Sequence, residues 1–198
     1  MIKIISTKLI VRFLILKFRF FGKNPSININ EHLAKVQRIL IYMPNKIVPF
    51  AAALKTLESL RKKSVNWKIT VITKLETVDL IQNRLKVNIL PYSSKDFNFL
   101  GLPKSSINRH FNNLSYDLAL DFNLGLDLLC ITLFQLSGAP LKVCIDSKEK
   151  AHLYNFRIRV NAAESLEKKY NVMIKYVTAM ADFNHQELSV SKPIQKLK

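Results

Sequence analysis

Short unbroken blocks of apolar residues alternate with stretches of helical rhythm along most of this chain. Residues 39–43 form one such block, of the kind required by a strand buried on both faces. Pro49 then suits a first helical turn, and Phe50, Ala53, Leu54, Leu57 and Leu60 recur at three- and four-residue spacing, leaving Lys55, Glu58, Arg61 and Lys62 outward. A second apolar block at 67–73 completes a β-α-β unit between Arg38 and Ile72. The alternation continues with a helix over 76–85, a strand over 87–90, a polar and aromatic loop over 91–103 and a helix over 105–114. A strand over 116–122, a helix over 125–137, strands at 141–145 and 156–160 and a closing helix over 162–180 follow. Strands and helices in strict alternation, joined by short links, imply an α/β fold: a single Rossmann-like, doubly wound parallel sheet with right-handed crossovers.

With 198 residues, 48% of them hydrophobic, the chain suffices for one such core with an extra segment at an end. The expected organisation is a basic amphipathic N-terminal segment over 1–30, the Rossmann-like domain over 36–182 and a flexible basic tail over 183–198. A formal charge of +17 favours an anionic partner. Nucleic acid ranks last among such partners, because no RNP-like aromatic pair, GXXG loop or zinc-finger spacing is present.

The charge is concentrated at the start. Lys3, Lys8, Arg12, Lys17, Arg19 and Lys23 precede the first acidic residue, Glu31, and are interleaved with Ile, Leu, Val and Phe. Charges recur too often for a membrane-spanning helix, which needs about twenty apolar residues in succession, and Arg12 splits what would be the apolar region of a signal peptide. The pattern fits either an N-terminal helix packed on the domain with its Lys and Arg in solvent or a peripheral anchor on an anionic membrane surface, with Lys8, Arg12 and Arg19 reaching phosphate headgroups while Phe13 and Phe18 enter the acyl boundary.

Candidate chemistry is sparse. Cys130 and Cys144 lie in apolar elements and read as buried free thiols, and His32, His110, His152 and His185 are scattered singly, so no metal site is expected. Ligands of doubly wound sheets bind beyond the C-terminal strand ends, which selects Asn45 and Lys46 after the first strand, Thr73 and Lys74 after the second, and Asp121 and Asn123 after the fourth.

Two stretches, AALKTLESLRKKSVNWKITVI and YDLALDFNLGLDLLCITLFQLSGAPLKVCID, resemble the N-terminal domain of the glycosyltransferase family 9 heptosyltransferases, which build the inner core of lipopolysaccharide. The first aligns without a gap with that family's helix and second strand, and the second is similar to its YDLVIDLQ strand and the LSGA stretch beyond. The resemblance implies one half of a GT-B fold. It also implies an acceptor-side domain of a glycosyltransferase-like protein in cell-envelope glycan assembly, cytoplasmic and peripheral to the inner membrane. No cofactor follows from it. A glycolipid acceptor and a companion protein supplying the donor domain are the implied partners. In that setting Lys46 and Lys74 attract acceptor phosphates, while Asp121 and Asn123 bind sugar hydroxyls. The alternative is a non-catalytic scaffold that binds a membrane surface or a protein. It is suggested by the first loop, where the family's glycines and aspartates fall on Asn45, Lys46, Ile47, Val48 and Pro49, so that the expected base is missing and no catalytic residue is assigned.

Overall fold

A computed structural model describes residues 27–63, 66–98, 102–112 and 114–190. The proposed anchor residues Lys8, Arg12, Phe13, Phe18 and Arg19 lie outside the described residues. Six strands, β1 (Arg38–Tyr42), β2 (Lys68–Lys74), β3 (Asn88–Tyr92), β4 (Leu118–Asp121), β5 (Leu141–Ile145) and β6 (Phe156–Ile158), form one all-parallel sheet. Its order is β3-β2-β1-β4-β5-β6, the doubly wound arrangement anticipated from the alternation of elements.

Successive side chains of a strand point to opposite faces, and the two cores divide accordingly. On one face Ile39, Ile41, Val71, Leu118, Leu120 and Val143 pack beneath α1 (Ile29–Ala34), α2 (Ile47–Lys63), α3 (Val78–Gln82) and α6 (Leu166–Val190). On the other, Leu40, Tyr42, Ile72, Ala119 and Cys144 pack beneath α4 (Ser105–Asn112) and α5 (Leu128–Leu136). His32 on α1 donates from Nε2 to the Asp117 carbonyl at 2.8 Å, tying that helix to the start of β4.

Several boundaries differ from the sequence expectation for local reasons. The helix expected over 76–85 is a 3-10 turn at Leu75–Thr77 followed by the short α3. There the Thr77 hydroxyl bonds the Lys74 carbonyl at 2.9 Å and the Thr73 hydroxyl at 2.7 Å, competing with a regular helical start. Strand β3 continues through Pro91 because it is an edge strand, where a missing N–H leaves no ladder bond unmade. The helix expected from residue 125 begins at Leu128, its N-cap being Asp127. The closing helix begins at Leu166, with Ser165 Oγ accepting from the Lys168 amide at 3.2 Å, and runs to Val190, so the expected tail starts inside it.

Candidate functional site

Beyond the C-terminal ends of β1 and β4 the chain leaves the sheet in opposite directions, to α2 on one face and toward α5 on the other. This is the topological switch point of the fold. A cleft of about 410 Å³ opens there between Pro44–Lys46, Pro49 and the segment from Asn123 to Asp127. It brings together three of the residues expected at strand ends, or their immediate neighbours: Asn45, Lys46 and Asn123. Lys46 is exposed, with no carboxylate paired to it among the described residues. Lys74, half-buried at the end of β2, stands outside the cleft lining.

Asp121 sits under the floor of the cleft. Its side chain is fully buried, and both oxygens are engaged: Oδ2 accepts from Lys150 Nζ at 2.8 Å and from the Tyr154 hydroxyl at 2.6 Å, and Oδ1 accepts from the Asn123 backbone amide at 2.8 Å and Nδ2 at 3.1 Å. Lys150 also donates to the Asn123 carbonyl. Asp121 therefore fixes the loop that carries Asn123 and faces the interior, with Lys150 and Tyr154 filling the positions a ligand hydroxyl would need. Burial disfavours the Lys150 charge, but the adjacent Asp121 carboxylate outweighs it and holds the ammonium pKa above its ordinary value.

The carboxylate that does face the cleft is Asp127. Its Oδ1 accepts from the Cys130 amide at 3.1 Å, capping α5, and its Oδ2 accepts from Asn45 Nδ2 at 2.8 Å across the cleft. Burial pushes its pKa above the usual carboxylate range, with further help from the negative charge of Asp121. Behind Asn45 the chain of hydrogen bonds continues inward. The Tyr92 hydroxyl donates to Asn45 Oδ1, and the Tyr42 hydroxyl lies 2.9 Å from that of Tyr92. Desolvation raises the pKa of both phenols, so they keep their protons, and every proton in the series points toward Asp127. Tyr42 closes β1 and Tyr92 closes β3, which is how a buried sheet-end network comes to orient a side chain in the open cleft.

The reading that no acidic group serves the loop after β1 thus needs correction. That loop has none of its own, yet one from the loop after β4 reaches its Asn45. Asp127 is hidden in the sequence because 125–137 looks like one apolar helix. The usable signal was an Asp immediately before the run LLCITLF, the pattern of an N-cap. Lys150 gave no such signal, since KEK reads as a solvated turn.

Both cysteines are buried free thiols, Cys130 with its pKa raised well above normal by burial and Cys144 pushed up to about 12 for the same reason. Among the described residues no three His, Cys, Asp or Glu side chains are grouped to hold a metal ion, and no helix is long and apolar enough to cross a membrane.

Two solved structures share this fold. E. coli heptosyltransferase WaaC with ADP matches with a TM-score of 0.55 and 12% identity over 71% of this chain and 46% of its own. The same enzyme with ADP-2-deoxy-2-fluoro heptose matches with a TM-score of 0.54 and 12% identity over 72% and 49%. The likeness establishes a GT-B-like, Rossmann-type half, and the chain spans about half the length of the structures it matches. No curated protein matches it in sequence. A family model covers residues 19–180, and the chain belongs to that family, the family of unknown function DUF6913.

Proposed function

We propose that the chain is the acceptor-side half of a glycosyltransferase related to the heptosyltransferases of cell-envelope lipopolysaccharide assembly, working at the cytoplasmic face of the inner membrane. The observation that carries this reading is Asp127, an ionisable carboxylate set into the switch-point cleft and aligned by Asn45. Asn45 and Asn123 offer amide donors and acceptors to sugar hydroxyls, and Lys46, with Lys74 on the neighbouring strand end, draws in acceptor phosphates. Asp127 accepts the proton of the acceptor hydroxyl as that hydroxyl's oxygen attacks the anomeric carbon. The bond to a nucleoside diphosphate breaks in the same step, and its electron pair leaves with that group. A carboxylate with a raised pKa is a stronger base for this role, which is worth about a hundred- to ten-thousand-fold in rate.

A companion lobe supplies the donor in this account, and the ADP and ADP-sugar ligands of the structural neighbour make an ADP-activated heptose the first donor to try. Residues 1–23, basic and apolar, hold the domain at an anionic membrane surface. The test is sugar transfer from ADP-heptose to a truncated lipopolysaccharide acceptor by the full chain in the presence of membranes from the source cells. Asp127→Asn is expected to lower the rate by about a hundredfold or more while acceptor affinity stays within about twofold. An unchanged rate in that variant refutes the assignment of Asp127.

A further inference from the structure

At the edge of the sheet opposite the cleft, where β2 and β3 begin, two cavities of about 540 and 440 Å³ share Lys68 and Asn88 in their walls. The first also presents Arg61, Lys86 and the half-buried Trp67; the second presents Arg38, Leu90, Leu114 and Tyr116. No acidic residue lines either one. Lys68 and Lys86 are exposed and have no carboxylate within ion-pair distance among the described residues. Arg38 is steadied by a 3.0 Å hydrogen bond from Nη1 to Ser115 Oγ.

Tyr116 is 5% exposed, its ring packs against Phe111 and its hydroxyl is covered beside Thr70, so the ring gives the cavity a fixed back wall. Leu114, 48% exposed in the same wall, adds apolar surface open to solvent.

We propose that this groove is a second ligand site, taking a phosphate monoester carried on an apolar or aromatic group. Arg38 and Lys68 meet the phosphate, the first by the planar fork that matches two phosphate oxygens and the second as a point charge. The Asn88 amide completes its hydrogen bonds, and Leu90 and Leu114 receive the apolar part. The site shares no residue with the switch-point cleft and stands or falls independently of it.

Trp67 is the single tryptophan of the chain and lies in the adjoining cavity, so its fluorescence reports on occupancy. Full-length protein is titrated with phenyl phosphate, uridine 5′-monophosphate, uridine, and vesicles containing phosphatidic acid, with amide NMR shifts recorded in parallel. The expected result is saturable binding of a phosphate ester with shifts at Lys68, Asn88 and Ser115, weakened about tenfold by Lys68→Ala and by Arg38→Ala. A response to the soluble esters assigns a free metabolite, and a Lys68-dependent response to vesicles alone assigns a lipid headgroup. No response to either, uridine binding as tightly as its monophosphate, or unchanged affinity in both variants overturns the proposal.

Discussion

Asp121 and Asp127 stand on one loop and its approach, and their surroundings assign them opposite tasks. Asp121 is neutralised by Lys150 in a buried pair with both partners at 0% exposure. Removing the cation as Lys150→Met leaves an unpaired buried carboxylate and is expected to cost about 3–5 kcal/mol in urea unfolding, more than a surface ion pair such as Lys168–Glu164 contributes. Because the folded-state pKa of Lys150 is raised, the pair's contribution is complete below the ordinary lysine value of about 10.4 and fades as pH climbs through the raised one, so unfolding curves should weaken only at strongly alkaline pH. Asp127 has the reverse sign. Its pKa is raised in the folded state, so in the window above the ordinary value of about 3.9 the native protein binds the proton more tightly than the unfolded chain, and ionisation there lowers stability. Asp127→Asn keeps the cap but sets an amide NH2 against that of Asn45, so it loses one hydrogen bond while removing the unfavourable charge, and its melting temperature should gain on the parent's as pH rises from about 4 to 7. Asp127→Ala, which loses the cap on Cys130, should lose about 1 kcal/mol.

Among the elements, α5 joins the site to the core. It is capped at its start by the cleft carboxylate and ends at Gly138, whose φ of 64° lies in the left-handed region and whose amide bonds the Gln135 carbonyl at 3.3 Å. Gly138→Ala should lower stability by about 1 kcal/mol, measured by chemical denaturation, through backbone strain alone, since an added Cβ meets nothing within 4 Å. The strand-helix alternation was readable because parallel strands buried on both faces show as continuous apolar runs, as in β1 and β5, and because α2 keeps a clean three- and four-residue rhythm. Element ends were less readable. At α3 two threonine hydroxyls decide where the helix starts, and at α5 an aspartate does. Both are side-chain contacts that periodicity does not encode.

Considered whole, the molecule is a sheet with a cleft at one end and a basic groove at the other. Strand order alone told where the cleft would be, and Asn45, Lys46 and Asn123 follow from that rule. Asp121 also satisfied the rule but was claimed by Lys150 and Tyr154, residues about thirty positions onward that only the folded β5–β6 connection brings beneath it. Asp127 was hidden for the complementary reason, lying past the strand end and meeting Asn45 only across the switch point. The central claim, that this cleft is a glycan site with Asp127 as its proton acceptor, is tested most directly by carbon-detected NMR titration of the Asp127 carboxyl, with and without a phosphorylated glycoside. The account predicts a midpoint above the ordinary value of about 3.9 that moves when the glycoside is added; a midpoint at or below that value, unmoved by saturating glycoside, would contradict it.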